Sequence, residues 1–292
     1  MSSAPATQNV TIRRAQPSDA GLCGRICYEA FTRLNQHHNF PPDFPSPEVA
    51  VEVLSSMFAN PRFFCVVAEQ GGRIVGSNCM DERSTIAGVG PITVDPAGQN
   101  SGVGRLLMKA VMDRAAEQKF SGVRLVQAAF HSRSMSLYAK LGFDVREPLV
   151  VMQGTPIRHV PSGYLVRAAV AGDLKACDAL CQRVHGHSRS GELADAIGRG
   201  TARVVERDGR ITGYATLIGF FGHAVAESNS ELQAMIGAAE EFAGPGLLLP
   251  TRNTELFRWC LHHGLRVVQP LTLMSLGLYN SPAGAFLPSI LF

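Results

Sequence analysis

The chain has 292 residues with a formal net charge of +3, and 46% of them are hydrophobic against 17% charged. This composition excludes a disordered chain, and so small a charge gives no reason to expect binding to nucleic acid or to an anionic membrane surface. The sequence has no apolar run of roughly 18 residues for a transmembrane helix and no basic start with an apolar core for a signal peptide, so we expect its seven cysteines to be reduced thiols in a cytoplasmic protein.

The first half of the chain alternates between strand and helix patterns. We predict, in chain order, a strand over 10–15, helices over 17–31 and 47–58, strands over 63–69, 73–80 and 86–94, a helix to about residue 118, a strand over 123–129, a helix over 132–140 and a strand over 143–153. Four prolines between residues 41 and 47 exclude a helix there and indicate a loop, which we expect on the substrate side. This order indicates an α/β (α+β) fold.

A glycine-rich turn joins the predicted strand 86–94 to the next helix, and it reads D-P-A-G-Q-N-S-G-V-G-R over residues 95–105. The N–H groups of a first helical turn have no intrahelical partner and lie at the positive end of the helix dipole. Gly102 and Gly104 lack Cβ, so a bulky anion can approach the main chain, and Arg105 adds positive charge. The turn predicts a phosphate site, with an ordinary β-to-helix turn as the alternative. Its spacing matches neither the Walker A loop nor the Rossmann fingerprint.

Two motifs carry a resemblance to a known family. Gln99-x-x-Gly102-x-Gly104 after the V-D-P strand end resembles the acyl-CoA loop of the GNAT N-acyltransferase superfamily. The segment L-Y-A-K-L-G-F at residues 137–143 is similar to a second segment of that family. The resemblance covers roughly residues 10–154. It implies acetyl transfer from acetyl-CoA to a small-molecule or peptide amine, without a metal.

The resemblance also implies how the cofactor is held. The end of the strand 86–94 would leave its neighbour and pair with the pantetheine arm, and an N–H near Val94 would point at the thioester oxygen. The loop amides would hold the diphosphate. His131 stands where family members often have an asparagine that holds the cofactor arm. The expected cofactor-binding residues are Ile92, Thr93, Val94, Gln99, Asn100, Ser101, Gly102, Val103, Gly104, Arg105 and His131.

Tyr138 is the predicted general acid of this reaction. A thiol has a pKa of about 8.5 and a phenol of about 10, so a nearby tyrosine can protonate a departing thiolate without a large mismatch. The alternative is a core tyrosine whose hydroxyl is hydrogen-bonded within the protein. No general base is evident. A water chain is one alternative, and the candidate side chains, each of a type usually found on the solvated surface, are Glu29, His37, His38, Asp81 and Glu82.

The pattern restarts after a predicted linker over 154–162. Five residues of the first half recur in order, Arg13, Ala15, Asp19, Cys23 and Cys27 as Arg167, Ala169, Asp173, Cys177 and Cys181. We interpret the chain as two tandem GNAT-like domains, an acetyltransferase at 1–154 and a degenerate copy at 163–292, each a mixed and mostly antiparallel sheet flanked by helices. The counterpart of the phosphate loop in the second copy, residues 226–232, has two acids and no glycine pair. Carboxylates there would repel a pyrophosphate, and Cys260 replaces Tyr138.

Three further features of the sequence bear on its function. Histidines stand close together at 37–38, 185–187 and 262–263, but no cysteine cluster has zinc spacing and we expect no metal. The cysteine pairs at i, i+4 are expected to be buried small hydrophobes. The apolar tail 286–292 must be covered, and a homodimer is one way to do so. Two functions stay open, an N-acetyltransferase and a non-catalytic acyl-CoA-binding regulatory protein.

Overall fold

The computed structural model describes residues 10–99 and 101–291. Its strands are β1 (Val10–Arg14), β2 (Phe63–Gln70), β3 (Arg73–Asp81), β4 (Ala87–Val89), β5 (Thr93–Val94), β6 (Gly122–Ala128), β7 (Asp144–Gln153), β8 (Leu165–Ala168), β9 (Arg203–Arg207), β10 (Arg210–Ala215), β11 (Ala224–Ala226), β12 (Leu247–Pro250), β13 (Arg266–Gly277) and β14 (Ala285–Leu287). Its α-helices are α1 (Ala20–His37), α2 (Pro47–Ala59), α3 (Val103–Glu117), α4 (Ser132–Lys140), α5 (Leu174–His185), α6 (Ser190–Gly198), α7 (Asn229–Ala238) and α8 (Thr254–His262).

These elements form two compact units. The first contains the residues up to Glu82 together with Val89–Phe120, and the second contains Arg83–Gly88 together with the residues from Ser121 onward. Apart from the strand over 86–94, the predicted strands and helices of the first half are confirmed, with α1 reaching further than expected. The predicted domain boundaries, 1–154 and 163–292, come from the repeat in the sequence and not from these compact units, and they remain a prediction.

The first unit is an antiparallel sheet with three helices. β2 pairs with β1 on one side and with β3 on the other, in the registers Ile12↔Ala68 and Val67↔Ser77. The apolar faces of α1, α2 and α3 supply the core, because their residues at helical spacing are the ones that are buried. The pair Cys23 and Cys27 lies in this core, as predicted.

The strand predicted over 86–94 is wrong as one element, because the structure divides it into β4 and β5. Gly90 lies between them with a φ of +146°, a conformation that favours glycine. Pro91 follows and has no N–H to donate to a strand ladder. Thr93 and Val94 of β5 then pair with β3.

One sheet of the second unit has the strand order β4-β6-β13-β7-β12. β6 runs parallel to β4 and antiparallel to β13. β13 belongs to the C-terminal half of the chain, yet it lies between two strands of the N-terminal half, with Leu273 opposite both Val126 of β6 and Glu147 of β7. The two halves of the sequence therefore share a sheet in this unit.

The other sheet of the second unit has the order β14-β11-β10-β9-β8 and is antiparallel. Its outermost strand β14 comes from the apolar tail, and Phe286 is paired with Val225 of β11. The tail is therefore covered by its own chain through residues 285–287. Cys177 and Cys181 are buried beside this sheet, as predicted.

The two halves of the chain start with the same side-chain arrangement. Arg13 donates to both carboxylate oxygens of Asp19 at 2.7 and 3.0 Å, and its Nε donates to Glu69 at 2.9 Å. The same three bonds measure 2.7, 2.9 and 2.9 Å in the second half, where the residues are Arg167, Asp173 and Glu206. In both halves the aspartate ends a short 3-10 turn before the first long helix. The repeat found in the sequence thus has a structural counterpart.

Candidate functional site

The glycine-rich loop lies between β5 and α3 in the first unit. Asp95 fixes its start, because Oδ1 accepts a hydrogen bond from the Ala97 N–H at 2.9 Å and Oδ2 accepts one from Arg73 at 2.6 Å. Ser101 Oγ donates to the Gly98 carbonyl at 2.5 Å. The loop is therefore held by its own short hydrogen bonds on both sides of Asn100, which lies outside the described residues.

Helix α3 begins directly after Gly102, which has a φ of +86°. The N–H groups of Arg105 and Leu106 both donate to the Gly102 carbonyl, at 3.1 and 3.2 Å. The Arg105 amide, predicted to contact the diphosphate, is thus already used within the helix. The amides of Val103 and Gly104 come before the first hydrogen-bonded turn of the helix and lie at the positive end of its dipole. Among the described residues, no atom lies within 4 Å of a Cβ built on Gly102, so these residues leave the space beside it open.

The strand before the loop carries three of the predicted residues. Thr93 is buried and pairs with Ser77, Val94 pairs with Gly76, and Ile92 is half-buried outside the strand. In the strand pairs described for this unit, β5 has β3 as its neighbour. Further along the chain, Gln99 is half-buried, whereas Ser101 and Arg105 are exposed.

Tyr138 lies on α4 in the second unit. Its side chain is 6% exposed, and its ring centroid is 6.3 Å from that of Phe143. Burial raises the pKa of Tyr138 above its ordinary value. The hydroxyl makes no hydrogen bond with any residue that the structure describes. Tyr138 therefore has the buried ring of a core tyrosine, with a hydroxyl that no described side chain or carbonyl is shown to bind.

His131 occupies the N-cap position of α4. Its carbonyl accepts hydrogen bonds from the Met135 N–H at 3.2 Å and from Ser134 Oγ at 3.0 Å, but its imidazole does not cap the helix. The corresponding Asn253 does cap α8, through its side-chain oxygen and the Leu256 N–H at 3.3 Å. An asparagine reaches back to the helix start, whereas the longer imidazole of His131 does not.

The comparison with known families gives one match. Residues 30–143 match the model of the Acetyltransferase (GNAT) family, a stretch that contains both the glycine loop and Tyr138. The chain carries a GNAT acetyltransferase domain. A comparison of the sequence with curated proteins gave no match.

Solved structures extend the likeness over most of the chain. A candidate acetyltransferase from Pyrococcus horikoshii is 20% identical with a TM-score of 0.72, and the match covers 93% of this chain and 90% of that one. A GCN5-related N-acetyltransferase from Sphaerobacter thermophilus is 16% identical with a TM-score of 0.60, covering 96% and 98%. A tandem GNAT protein of the clavulanic acid biosynthesis pathway is 15% identical with a TM-score of 0.56, covering 94% and 100%. The fold is therefore that of the tandem GNAT proteins.

The candidate bases of the GNAT domain have different surroundings. Both carboxylate oxygens of Glu82 are bound by Arg114, at 2.8 and 3.2 Å, and Asp81 is buried. Glu29 lines an open cleft of about 480 Å³ with residues of α1 and the start of the glycine loop. The other lining residues are Tyr28, Thr32, Arg33, Gln36, Asp95, Pro96 and Ala97. His37 ends α1 and His38 is its C-cap. Glu82 is already engaged, because Arg114 occupies both of its oxygens.

The second copy fills the position of the phosphate loop with its own side chains. Ser228 caps α7, and Glu231 is fully buried in an ion pair with Arg207 at 3.2 Å. Glu227 is bound by Arg210, one of whose contacts measures 2.9 Å. Both acids are therefore bound by arginines, Glu231 in the interior and Glu227 near the surface. Burial raises the pKa of Cys260, which replaces the tyrosine, to about 12.

Across residues 10–99 and 101–291, no three or more His, Cys, Asp or Glu side chains are grouped to hold a metal ion. None of the helices described is both long and apolar enough to cross a membrane.

A buried polar network in the second unit was not predicted. Its centre is Glu192 on α6, which accepts hydrogen bonds from Arg189 at 2.9 and 2.7 Å and from Ser84 Oγ at 2.9 Å. His223 Nδ1 lies 3.3 Å from Glu192, and its Nε2 lies 3.1 Å from the Tyr214 hydroxyl. The network ties the segment before β4 to the C-terminal half. Its sequence signal was the pair Arg189-x-x-Glu192, which stands one helical turn apart.

Proposed function

We propose that the chain is an N-acetyltransferase that moves an acetyl group from acetyl-CoA directly to a primary amine. The observation that carries the proposal is the open start of α3, where Gly102 leaves space beside the first helical amides. A helix start of this kind favours a phosphate group. The family match of residues 30–143 supports the same conclusion.

The residues of the loop fit a diphosphate. The amides of Val103 and Gly104 supply donors, and the exposed Arg105 supplies a charge. Acetyl-CoA brings the reactive thioester. The cofactor-binding residues that we propose are Ile92, Thr93, Val94, Gln99, Asn100, Ser101, Gly102, Val103, Gly104, Arg105 and His131.

Tyr138 is the proposed general acid. Because burial raises its pKa, the phenol keeps its proton throughout the neutral range and can donate it. The absence of a hydrogen-bond partner among the described residues leaves that proton available. The catalytic residues would then belong to a domain at 1–154, and the degenerate copy at 163–292 would stabilise it and shape the acceptor cleft.

The experiment is release of free CoA from acetyl-CoA with a panel of primary amines. We expect amine-dependent release by the unaltered protein. Tyr138→Phe should lower kcat by roughly 10²- to 10⁴-fold while calorimetric affinity for CoA stays unchanged. Tyr164→Phe is the control, because it removes a tyrosine hydroxyl outside the proposed site. That hydroxyl belongs to the degenerate copy and accepts a hydrogen bond from Arg207 at 3.3 Å.

The outcomes separate the two candidate functions. Affinity for CoA without release by any amine would favour a non-catalytic acyl-CoA-binding regulatory protein. An unchanged rate for Tyr138→Phe would remove Tyr138 as the acid but keep the enzyme. No affinity for CoA or acetyl-CoA at all would contradict both functions.

A further inference from the structure

The open cleft beside the start of the glycine loop lies within the first unit. One wall is a face of α1, where the lining residues fall at helical spacing, and the other wall is formed by residues 95–97. Its volume of about 480 Å³ falls in the usual range of ligand pockets, roughly 300–1,000 Å³. Asp95 directly follows Val94, near which an N–H is expected to face the thioester oxygen. The cleft is therefore well placed for the amine that receives the acetyl group.

The wall formed by α1 carries one charge of each sign. Glu29 and Arg33 are both exposed and stand one helical turn apart, in the order that favours an ion pair along a helix. They do not form that pair, and neither side chain makes a hydrogen bond with any residue that the structure describes. Both charges are therefore available to a molecule in the cleft.

The opposite wall adds no available charge among the described residues. Asp95 is neutralised by Arg73, which donates to Oδ2 at 2.6 Å, and Oδ1 accepts the Ala97 N–H at 2.9 Å. Pro96 has no N–H to donate. The remaining lining side chains of α1 are uncharged. The described lining therefore offers a ligand one carboxylate and one guanidinium.

This pair of charges discriminates between classes of ligand. A phosphate group would be attracted by Arg33 but repelled by Glu29, and a diamine would be attracted by Glu29 but repelled by Arg33. An amino acid suits both, because its ammonium can bind Glu29 and its carboxylate can accept paired hydrogen bonds from Arg33. Two charged groups on one carbon also match two side chains one turn apart, whose Cβ atoms are about 5–6 Å from each other.

We propose that the acceptor is a free amino acid, bound in this cleft with its ammonium on Glu29 and its carboxylate on Arg33. This inference rests on the proposed acetyl transfer and names its acceptor class. The ammonium loses one proton to Glu29, which passes it to water. The neutral nitrogen then bonds to the acetyl carbon as the carbon–sulfur bond of acetyl-CoA breaks. The second proton that leaves the nitrogen is balanced by the one that the sulfur gains, so the products are an N-acetyl amino acid and free CoA.

The test begins with the standard L-amino acids, each titrated calorimetrically into the protein with and without CoA. The tightest ligand is then compared with its carboxamide, which lacks the carboxylate, and with its des-amino acid, which lacks the ammonium. We expect each analogue to bind at least about fivefold more weakly than the parent, as for the loss of a charge-assisted hydrogen bond in an open cleft.

Two variants assign the two ends of the ligand. Arg33→Gln should abolish the preference over the carboxamide and keep the preference over the des-amino acid, whereas Glu29→Gln should do the reverse. Both should keep the Tm of the unaltered protein without ligand, because neither side chain gives up a hydrogen bond to a described residue. The matched controls are Arg25→Gln on the same helix and Glu52→Gln on α2. Both of these residues are exposed and do not line the cleft, so these variants should keep both preferences.

The results separate this inference from the proposed function. CoA release with simple amines, but no amino acid that binds, would overturn the amino acid site and leave acetyl transfer intact. Preferences that Arg33→Gln and Glu29→Gln leave unchanged would do the same. A weaker titration of CoA into Arg33→Gln would also overturn the site, since Arg33 would then contact the cofactor. The expected binding pattern without any CoA release would support the site and contradict the enzyme.

Discussion

A Cβ atom built on Gly24 of α1 would stand 2.5 Å from the Cα of Val51 in α2. The two helices can approach this closely because position 24 has no side chain. Gly24→Ala should therefore lower the free energy of unfolding by about 1–3 kcal/mol through overpacking. Gly21→Ala on the same helix is the matched control, since its nearest atom would be Arg25 Nη1 at 3.9 Å.

Urea midpoints of the two variants check this prediction. Gly21→Ala should be neutral or stabilising by up to about 1 kcal/mol, because alanine loses less backbone entropy than glycine. A loss of equal size at both positions would show that helix propensity, and not the contact with Val51, decides the outcome.

Gly102 and Gly264 share a φ of +86°, and a Cβ on either would meet no atom of residues 10–99 and 101–291 within 4 Å. Alanine should strain the backbone to a similar degree at both positions, by about 1–2 kcal/mol. Only Gly102→Ala should weaken CoA binding, because only Gly102 precedes the proposed diphosphate site. Calorimetric titration with CoA, beside urea midpoints, measures the two effects. Equal affinities for CoA in the two variants would remove the loop from the binding site.

The carboxylate of Asp19 is stabilised by its hydrogen bonds to Arg13, which lower its pKa below the ordinary value. The stabilisation is complete above the unfolded pKa of about 3.9 and is lost as the pH falls through the lower folded pKa. Asp19→Asn should cost about 1–3 kcal/mol at pH 7, with the cost shrinking in acid. Asp173→Asn should behave alike, because Arg167 makes the same bonds. Urea midpoints between pH 7 and pH 3 measure this, and a cost that is independent of pH would contradict it.

His223 should destabilise the protein in mild acid. Burial lowers its pKa to about 4, whereas an unfolded histidine has a pKa of about 6.5. Between these values the unfolded chain takes up a proton that the folded chain does not, so stability falls as the pH decreases, by up to about 1.4 kcal/mol per pH unit for this group. His223→Asn should flatten the slope of urea midpoints between pH 6.5 and 4.5. The exposed His263 is the control, and His263→Asn giving the same flattening would contradict the assignment.

Local patterns in the sequence predicted the local elements well. Apolar residues at helical spacing, such as Cys23 and Cys27, are the buried ones of α1. The prediction of one strand over residues 86–94 was wrong because Gly90 and Pro91, in the middle of the stretch, interrupt its strand hydrogen bonds. The glycine loop was predictable because a positive φ and an open helix start both call for glycine at position 102.

The polar network around Glu192 was not predictable from local patterns. The spacing of apolar residues predicts which side chains are buried, but it does not predict which strand or helix lies beside them. Arg189 and Glu192 stand one helical turn apart in the sequence, whereas Ser84 and His223, which contact Glu192, come from parts of the chain far away. The neighbours of β13 could not be predicted for the same reason, because its apolar and polar residues would suit pairing with any strand of similar length.

The position of β13 has a consequence for how such a chain can change over time. A duplicated copy is normally free to drift or to be deleted if it has no activity of its own. Here deletion would take away the strand that separates β6 from β7 and would leave two open ladder edges, which invite aggregation. Selection on the first half therefore extends to residues 266–277, and the retention of the second half requires no activity of its own.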